Sequence, residues 1–466
     1  MSARSNGHVA AGAPPAAGPP RLPPGPPPRR GGVLESVKYA ANFLWDPFAF
    51  VGERFARYGD VYYAPSRGVG LYVIRRPEHV RELLVTQADA FAKGHSGLRG
   101  LSRALGEGLL TSDGEVWRRH RRLANPAFAK KAIGGYVGAM VREAVATREA
   151  LGEGRVRDLA ADMTALTLRV VGRTLFGTDV AADVDTIARS MRVFQTTLAA
   201  PAALPGPLQR LVGRRAARAT ADLDAIVARL FAARRGAPAS PPDLAQMLLD
   251  AVDPDDAGAR LTEREVRDEL VTFLLAGHET TSNTLAWALY LLSRSPAAEA
   301  RLCAEVDEVL AGRPPGPDEL ERLRYTEQVI KEALRLYPPA FAIPRSVARD
   351  VRLGGYDVPA GSEVIAWVYF THRDPVAFPE PESFRPERFE PEAEARLPRG
   401  AYVPFGAGPR ACIGRAFAMS EAVAALACLY QTHTFEYARP RPPRLVGRIT
   451  LAPGGGLPMR PRRRRR

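Results

Sequence analysis

The chain has 466 residues, 46% hydrophobic and 25% charged, a globular composition long enough to bury a large core around a ligand. Its three cysteines, Cys303, Cys412 and Cys428, exclude a disulfide framework and a cysteine-rich zinc site, and fit a reducing cytoplasm. The net charge of +14 sits mostly at the ends: residues 1–32 carry four arginines and no acid, and 460–466 carry six arginines.

At ~150 residues per domain the length suggests about three domains, although single domains of this size exist. No internal repeat, transmembrane run or signal-peptide layout is visible. The proline-rich stretch "PPAAGPPRLPPGPPPRRGG" makes 1–32 a disordered segment, followed by a body over 33–459. The arginine-rich end, 460–466, reads as a second disordered tail, solvated rather than bound to nucleic acid or lipid.

Along the body, "GDVYYAPSRGVGLYVIRRPEHVRELL" (59–84) predicts two strands around a glycine turn, then a helix. "WRRHR" (117–121) alone is a basic patch. Residues 262–295 predict a helix ~50 Å long, opened by a Thr262–Glu265 capping box and stopped at Pro296. Its apolar middle, Leu270–Ala276, gives way to Gly277-His278-Glu279-Thr280-Thr281-Ser282, poor helix chemistry. Such a break is expected at a functional site, or at a packing glycine with back-bonded hydroxyls. "KEALRLYPPAFAIPR" (331–345) starts as a helix, breaks at Pro338-Pro339, and carries Glu332 and Arg335 on one face. "VRLGGYDVPAGSEVIAWV" (351–368) predicts a hairpin turning at Pro359-Ala360-Gly361. The other two cysteines lie in ordinary helical sequence and read as core thiols.

"PFGAGPRACIGRAFA" (404–418) puts Cys412 on a glycine-rich loop just before an apolar helix. Free N–H groups at a helix start and nearby cations favour a thiolate, a strong donor to iron. Gly406, Gly408 and Gly414 let backbone wrap closely around the sulfur and a flat group, Phe405 packs on that group, and Arg410 pairs with an anionic edge. An iron porphyrin has that shape, and a thiolate ligand favours O–O cleavage.

With these motifs the chain resembles the cytochrome P-450 family of haem-thiolate monooxygenases, from about Leu22 to Pro458. Phe405, Gly408, Arg410, Cys412 and Gly414 match its haem loop, with Cys412 the iron ligand. Glu332, Arg335 and Arg388 (in "FRPERF") match its buried ion network. "AGHETT" matches the oxygen-activating notch, with Glu279 and Thr280 as an acid–alcohol pair that supplies protons. Trp117 and Arg121 match propionate contacts, and Arg345 a further one. His120 and His372 are read as structural, and His278 is given no role.

The resemblance implies a mainly α fold with a small β region and a haem b cofactor (iron protoporphyrin IX). It implies a small hydrophobic substrate such as a terpene, fatty acid, steroid or polyketide. That substrate would be lined by Phe91–Leu110, Val193–Leu211, Leu270–Glu279, Pro339–Pro344 and Leu451–Leu457. Electrons would come from a separate ferredoxin or flavodoxin with an NAD(P)H reductase, docked on Arg118, Arg119, Arg122 and Arg415. A cytoplasmic monomer is expected, with no membrane anchor and no specific nucleic-acid partner. The alternatives are a haem-thiolate peroxygenase or isomerase that needs no electron donor, and a non-catalytic haem binder or gas sensor.

Overall fold

A computed structural model describes residues 21–27, 41–66, 69–94, 102, 105–175, 177, 183–199, 206–236, 242–253, 255–256, 258–464. The longer helices are α1 (Pro47–Tyr58), α2 (Gly114–Ala124), α3 (Lys130–Glu149), α4 (Leu159–Leu175), α5 (Val184–Ala199), α6 (Gly206–Gly236), α7 (Glu263–Ser293), α8 (Pro296–Leu310), α9 (Arg324–Leu336) and α10 (Arg415–Tyr430). The strands are β1 (Val61–Ser66), β2 (Val69–Ile74), β3 (Phe91–Ala92), β4 (Arg157–Asp158), β5 (Ile343–Val347), β6 (Val351–Leu353), β7 (Tyr356–Val358), β8 (Glu363–Ala366), β9 (His433–Tyr437), β10 (Arg444–Gly447), β11 (Leu451–Gly454) and β12 (Pro458–Arg463). The mainly α fold with a small β region is as the sequence implies.

Helix α7 organises the helical part. Thr262 caps it, its hydroxyl accepting from the Glu265 N–H while the Glu265 carboxylate accepts from the Thr262 N–H. Apolar side chains occur on every face, so it can be stable only when surrounded. It packs against α4, α9 and α10, and α10 packs in turn against α3. A five-stranded sheet, ordered β1-β2-β8-β5-β3, forms a second core, with β2 and β8 parallel.

Three expectations are corrected. The predicted hairpin turns at Gly354-Gly355, both at positive φ (58° and 83°), and pairs β6 with β7. Pro359-Ala360-Gly361 instead leads out of that hairpin into β8, which pairs with β2 and β5. Second, residues 21–27 are held on the sheet: the Tyr63 N–H donates to the Pro24 carbonyl at 2.9 Å and the Arg21 N–H to Asp357 at 3.0 Å. The rest of 1–32 lies outside the described residues.

Third, the C-terminal arginines up to Arg464 are not a loose tail. β12 pairs antiparallel with β9 from Met459↔Tyr437 to Arg463↔His433. Met459 and Pro461 are buried while Arg462 is exposed, an alternation of period two hidden within the arginine run. Arg464 pairs with Asp307 and donates to the Tyr430 carbonyl. Residues 465–466 lie outside the described residues. Truncation after Met459 is therefore expected to cost about 2–4 kcal/mol, at ~1 kcal/mol per lost hydrogen bond. A thermal melt unchanged by the truncation would show these contacts to be idle.

Candidate active site

The Cys412 loop is shaped by its glycines. Gly406 and Gly408 have φ of 67° and 69°, which L side chains rarely adopt. A Cβ on Gly408 would stand 1.9 Å from the Leu84 carbonyl oxygen, so the loop closes onto the neighbouring helical turn only with glycine there. The Cys412 N–H donates to the Phe405 carbonyl at 2.8 Å, folding the loop back on itself. Gly414 differs from the expectation: its φ is ordinary (−84°), and it serves as the N-cap of α10. Its N–H reaches the Cys412 sulfur.

Cys412 is solvent-accessible, whereas Cys303 and Cys428 are buried in the core. Burial raises those two thiols to about 11 and about 12, so they stay protonated. Protein packed behind Cys412 also pushes its thiol up, while the Gly414 N–H, Arg121 and Arg415 act the other way. Arg121 donates to the Ala411 carbonyl at 2.8 Å, which pins α2 to the loop.

A cluster of cations lies beside the loop. Arg410 donates to the Phe91 carbonyl at 2.7 Å and pairs with Asp113. The Trp117 ring has both the Lys93 ammonium (5.4 Å) and the Arg410 guanidinium (5.7 Å) near it. Burial, then repulsion from Arg410 and Arg345, lowers Lys93 to about 7. Burial, then Arg410, lowers Arg345 to about 10. Lys93, Arg345 and Arg410 thus share Asp113 as a close carboxylate, and the lowering of Lys93 and Arg345 favours an added anion. The two propionates of a haem would supply it. One accessible soft thiol, a close-fitting glycine turn and an anion-deficient rim together fit a haem. Lys93 was missed in the sequence, because an isolated lysine carries no local pattern.

The notch of α7 is open on one side. In a helix that is otherwise largely buried, Ala276 is exposed and Gly277 and Thr280 are half-buried. The Thr280 hydroxyl donates to the Ala276 carbonyl at 2.8 Å, across the open face. Gly277 allows close packing, since a Cβ there would lie 3.0 Å from Val171 of α4. Glu279 turns toward the segment before β11 and accepts from the Thr450 hydroxyl. Asn283, one turn later, donates to Thr450 at 3.0 Å. The i,i+4 spacing of Glu279 and Asn283 was the signal available in the sequence. His278 is buried against the Leu274 carbonyl (2.6 Å), facing away from any ligand role.

Behind the notch lies a second group missed in the sequence. Glu421 of α10 is fully buried, and burial holds its carboxyl well above the ordinary range against a hydrogen bond from Thr281. The folded chain keeps a proton that the unfolded chain releases above about 4.3. Stability should therefore fall as pH rises from there toward the folded value. Glu421→Gln keeps the shape and the neutrality, and is expected to flatten that fall in thermal unfolding measured across pH. An unchanged pH slope would mean that Glu421 ionises freely.

Glu332, Arg335 and Arg388 also come together. Arg335 donates to both carboxylate oxygens of Glu332, at 2.7 and 2.8 Å, and both side chains are 0% exposed. Arg335 also donates to the carbonyls of His372, Pro381 and Ser383. The Arg388 Nε lies 3.5 Å from Glu332. His372 accepts from the Val403 N–H at 2.8 Å, and burial lowers it to about 3, so it is neutral. His120 contacts Glu269 at 2.7 Å; burial opposes its charge, but Glu269 and Glu265 outweigh that and raise its pKa.

The basic docking face is not as expected. Arg118 pairs with Glu115, Arg119 with Glu265 at 2.8 Å, and Arg122 with Asp253 at 2.7 Å and Asp255 at 2.9 Å. Only Arg415 of the four is exposed without an ion pair among the described residues. No helix among them is long and apolar enough to cross a membrane.

Fold and site define the haem-thiolate class. The family model "Cytochrome P450" matches residues 23–456, and the chain belongs to that family, whose members are haem-dependent monooxygenases. It is 37% identical over 399 residues to cyclooctatin synthase of Streptomyces melanosporofaciens, covering 84% of this chain and 83% of the relative. It is 39% identical over 372 residues to cyclooctat-9-en-7-ol 5-monooxygenase of the same organism, covering 78% and 79%. Pentalenene oxygenase of Streptomyces avermitilis is 34% identical over 404 residues, covering 85% and 89%.

Proposed function

We propose that this monooxygenase inserts one oxygen atom from O2 into a cyclic terpenoid, by hydroxylation or epoxidation. The observation that carries the reading is Cys412, the one accessible thiol of three, on a loop whose Arg410 belongs to an anion-deficient cation cluster. The relatives' names, with pentalenene and cyclooctat-9-en-7-ol as the compounds acted on, support a cyclic, largely hydrocarbon substrate. The cofactor is haem b, which when bound to a thiolate supplies oxygen activation. Cys412 holds the iron; Arg121, Arg345, Arg410 and Lys93 hold the propionates, with Trp117 packed among them. The protein acts in the cytoplasm as a monomer, with electrons from a separate ferredoxin or flavodoxin and its NAD(P)H reductase.

Thr280 holds a proton at the open face of α7, and Glu279, anchored by Thr450, replenishes it. Thr280→Ala should bind haem and substrate normally and still consume NAD(P)H, yet release more hydrogen peroxide per product. Losing one directed hydrogen bond costs roughly 1–3 kcal/mol, enough to change the partition about tenfold. Unchanged coupling with the native substrate would leave the notch a packing feature.

The reading is tested with isotope-labelled O2, a ferredoxin, its reductase, NAD(P)H and a panel of cyclic terpenoids. One labelled oxygen per product is expected. Turnover with peroxide alone, and none with the electron-transfer proteins, would overturn it.

A further inference from the structure

Residues 41–45 are helical and precede α1. Phe43, Leu44 and Trp45 within them are 37%, 49% and 74% exposed. Single exposed apolar side chains are ordinary, but three in succession mark a surface that something covers. Phe43 meets Phe50 of α1 edge-on at 5.5 Å. Trp45 lies beside the Arg444 guanidinium, 5.3 Å from its ring centre.

Arg444 ends the connection from β9 to β10, which also carries Arg439 and Arg441. These residues rim a hollow of about 350 Å³, with Tyr437 and Gly454 on its other sides. Pro440, Pro442 and Pro443 stiffen the segment, so the guanidinium groups are presented with little ordering left to lose. Nearby arginines are matched: Arg460 and Arg462 pair with Glu436, and Arg464 with Asp307. Arg439, Arg441 and Arg444 have no ion pair among the described residues. Asp46, directly after Trp45, is exposed, but its carboxylate is engaged as the cap of α1, accepting from the Phe48 and Ala49 N–H groups.

We infer that this face docks on the surface of an anionic lipid bilayer. Phe43, Leu44 and Trp45 enter the boundary between headgroups and acyl chains, where an aromatic ring with a polar edge is most stable. Arg439, Arg441 and Arg444 bind lipid phosphates, which guanidinium groups fit in bidentate fashion. An acidic protein would satisfy the arginines equally, but a row of aliphatic and aromatic tips directly beside unpaired cations matches the layered chemistry of a bilayer better. The surface is peripheral and is independent of the substrate.

The test is co-sedimentation of the full-length, haem-loaded protein with vesicles. Binding to phosphatidylcholine mixed with phosphatidylglycerol is expected, with little binding to phosphatidylcholine alone. Substituting R439Q, R441Q and R444Q together should weaken binding roughly a hundredfold, at about 1 kcal/mol per arginine and about 1.4 kcal/mol per tenfold. Trp45→Ser should weaken it separately and should be less sensitive to salt. All variants should keep the wild-type CO-bound spectrum. Equal binding to both vesicle types, no binding at all, or unchanged binding by either variant would overturn the inference. Loss of turnover with a ferredoxin in the arginine variant, without vesicle binding by the wild type, would assign the face to a protein partner instead.

Discussion

Cys412→His is expected to abolish the red-shifted Soret band of the reduced, CO-bound protein, and monooxygenation with it. The reason is local and electronic. A thiolate donates more charge to iron than an imidazole, and that charge favours O–O cleavage. Packing around Cys412 pushes its thiol up in the absence of a metal cation, so iron binding itself must displace the proton. The Gly414 N–H and the Arg121 and Arg415 guanidiniums steady the resulting charge. Haem content separates ligand chemistry from folding: the histidine variant should retain some haem but show an imidazole-type spectrum. A variant that kept the thiolate band would transfer the ligand role to another residue, and the buried Cys303 and Cys428 are poorly placed for it.

Glu332→Ala should be the most damaging substitution for folding. It would leave Arg335, 0% exposed, with three carbonyl acceptors and no opposing charge. Breaking a buried pair from one side costs about 3–5 kcal/mol, against a total stability of about 5–15 kcal/mol. Glu332 also accepts the Arg385 N–H at 2.9 Å, so the segment leading to the cysteine loop loses an anchor. Arg388→Gln should cost much less: its Nε is 3.5 Å from Glu332, and its other contact is with the Glu380 carbonyl. Haem content of purified protein and thermal melting measure both. Equal losses for the two variants would refute the central place given to the Glu332–Arg335 pair.

The same contrast between near and distant partners decides how much was legible in the chain. Glu332 and Arg335 are three residues apart, so helical geometry alone brings them together. The capping box of α7 and the glycine turn before α10 are equally local, and their residue types name their conformations. Lys93 could not be found this way, because its significance comes from Arg345 and Arg410. Glu279 likewise meets Thr450 across 171 residues of chain. The arginines around "WRRHR" looked like a free basic face until Asp253 was folded against them, 131 residues on from Arg122.

The sequence by itself determined the helical class, the cysteine loop, the notch in the long helix and the family they mark. Each is encoded in backbone preferences and spacings within a few residues, which survive without knowledge of the fold. Only the tertiary structure decided which charges are paired, which thiol is accessible, and that the arginine run up to Arg463 is a strand. Those outcomes depend on desolvation and on partners brought from far along the chain, and electrostatic energies vary steeply with both.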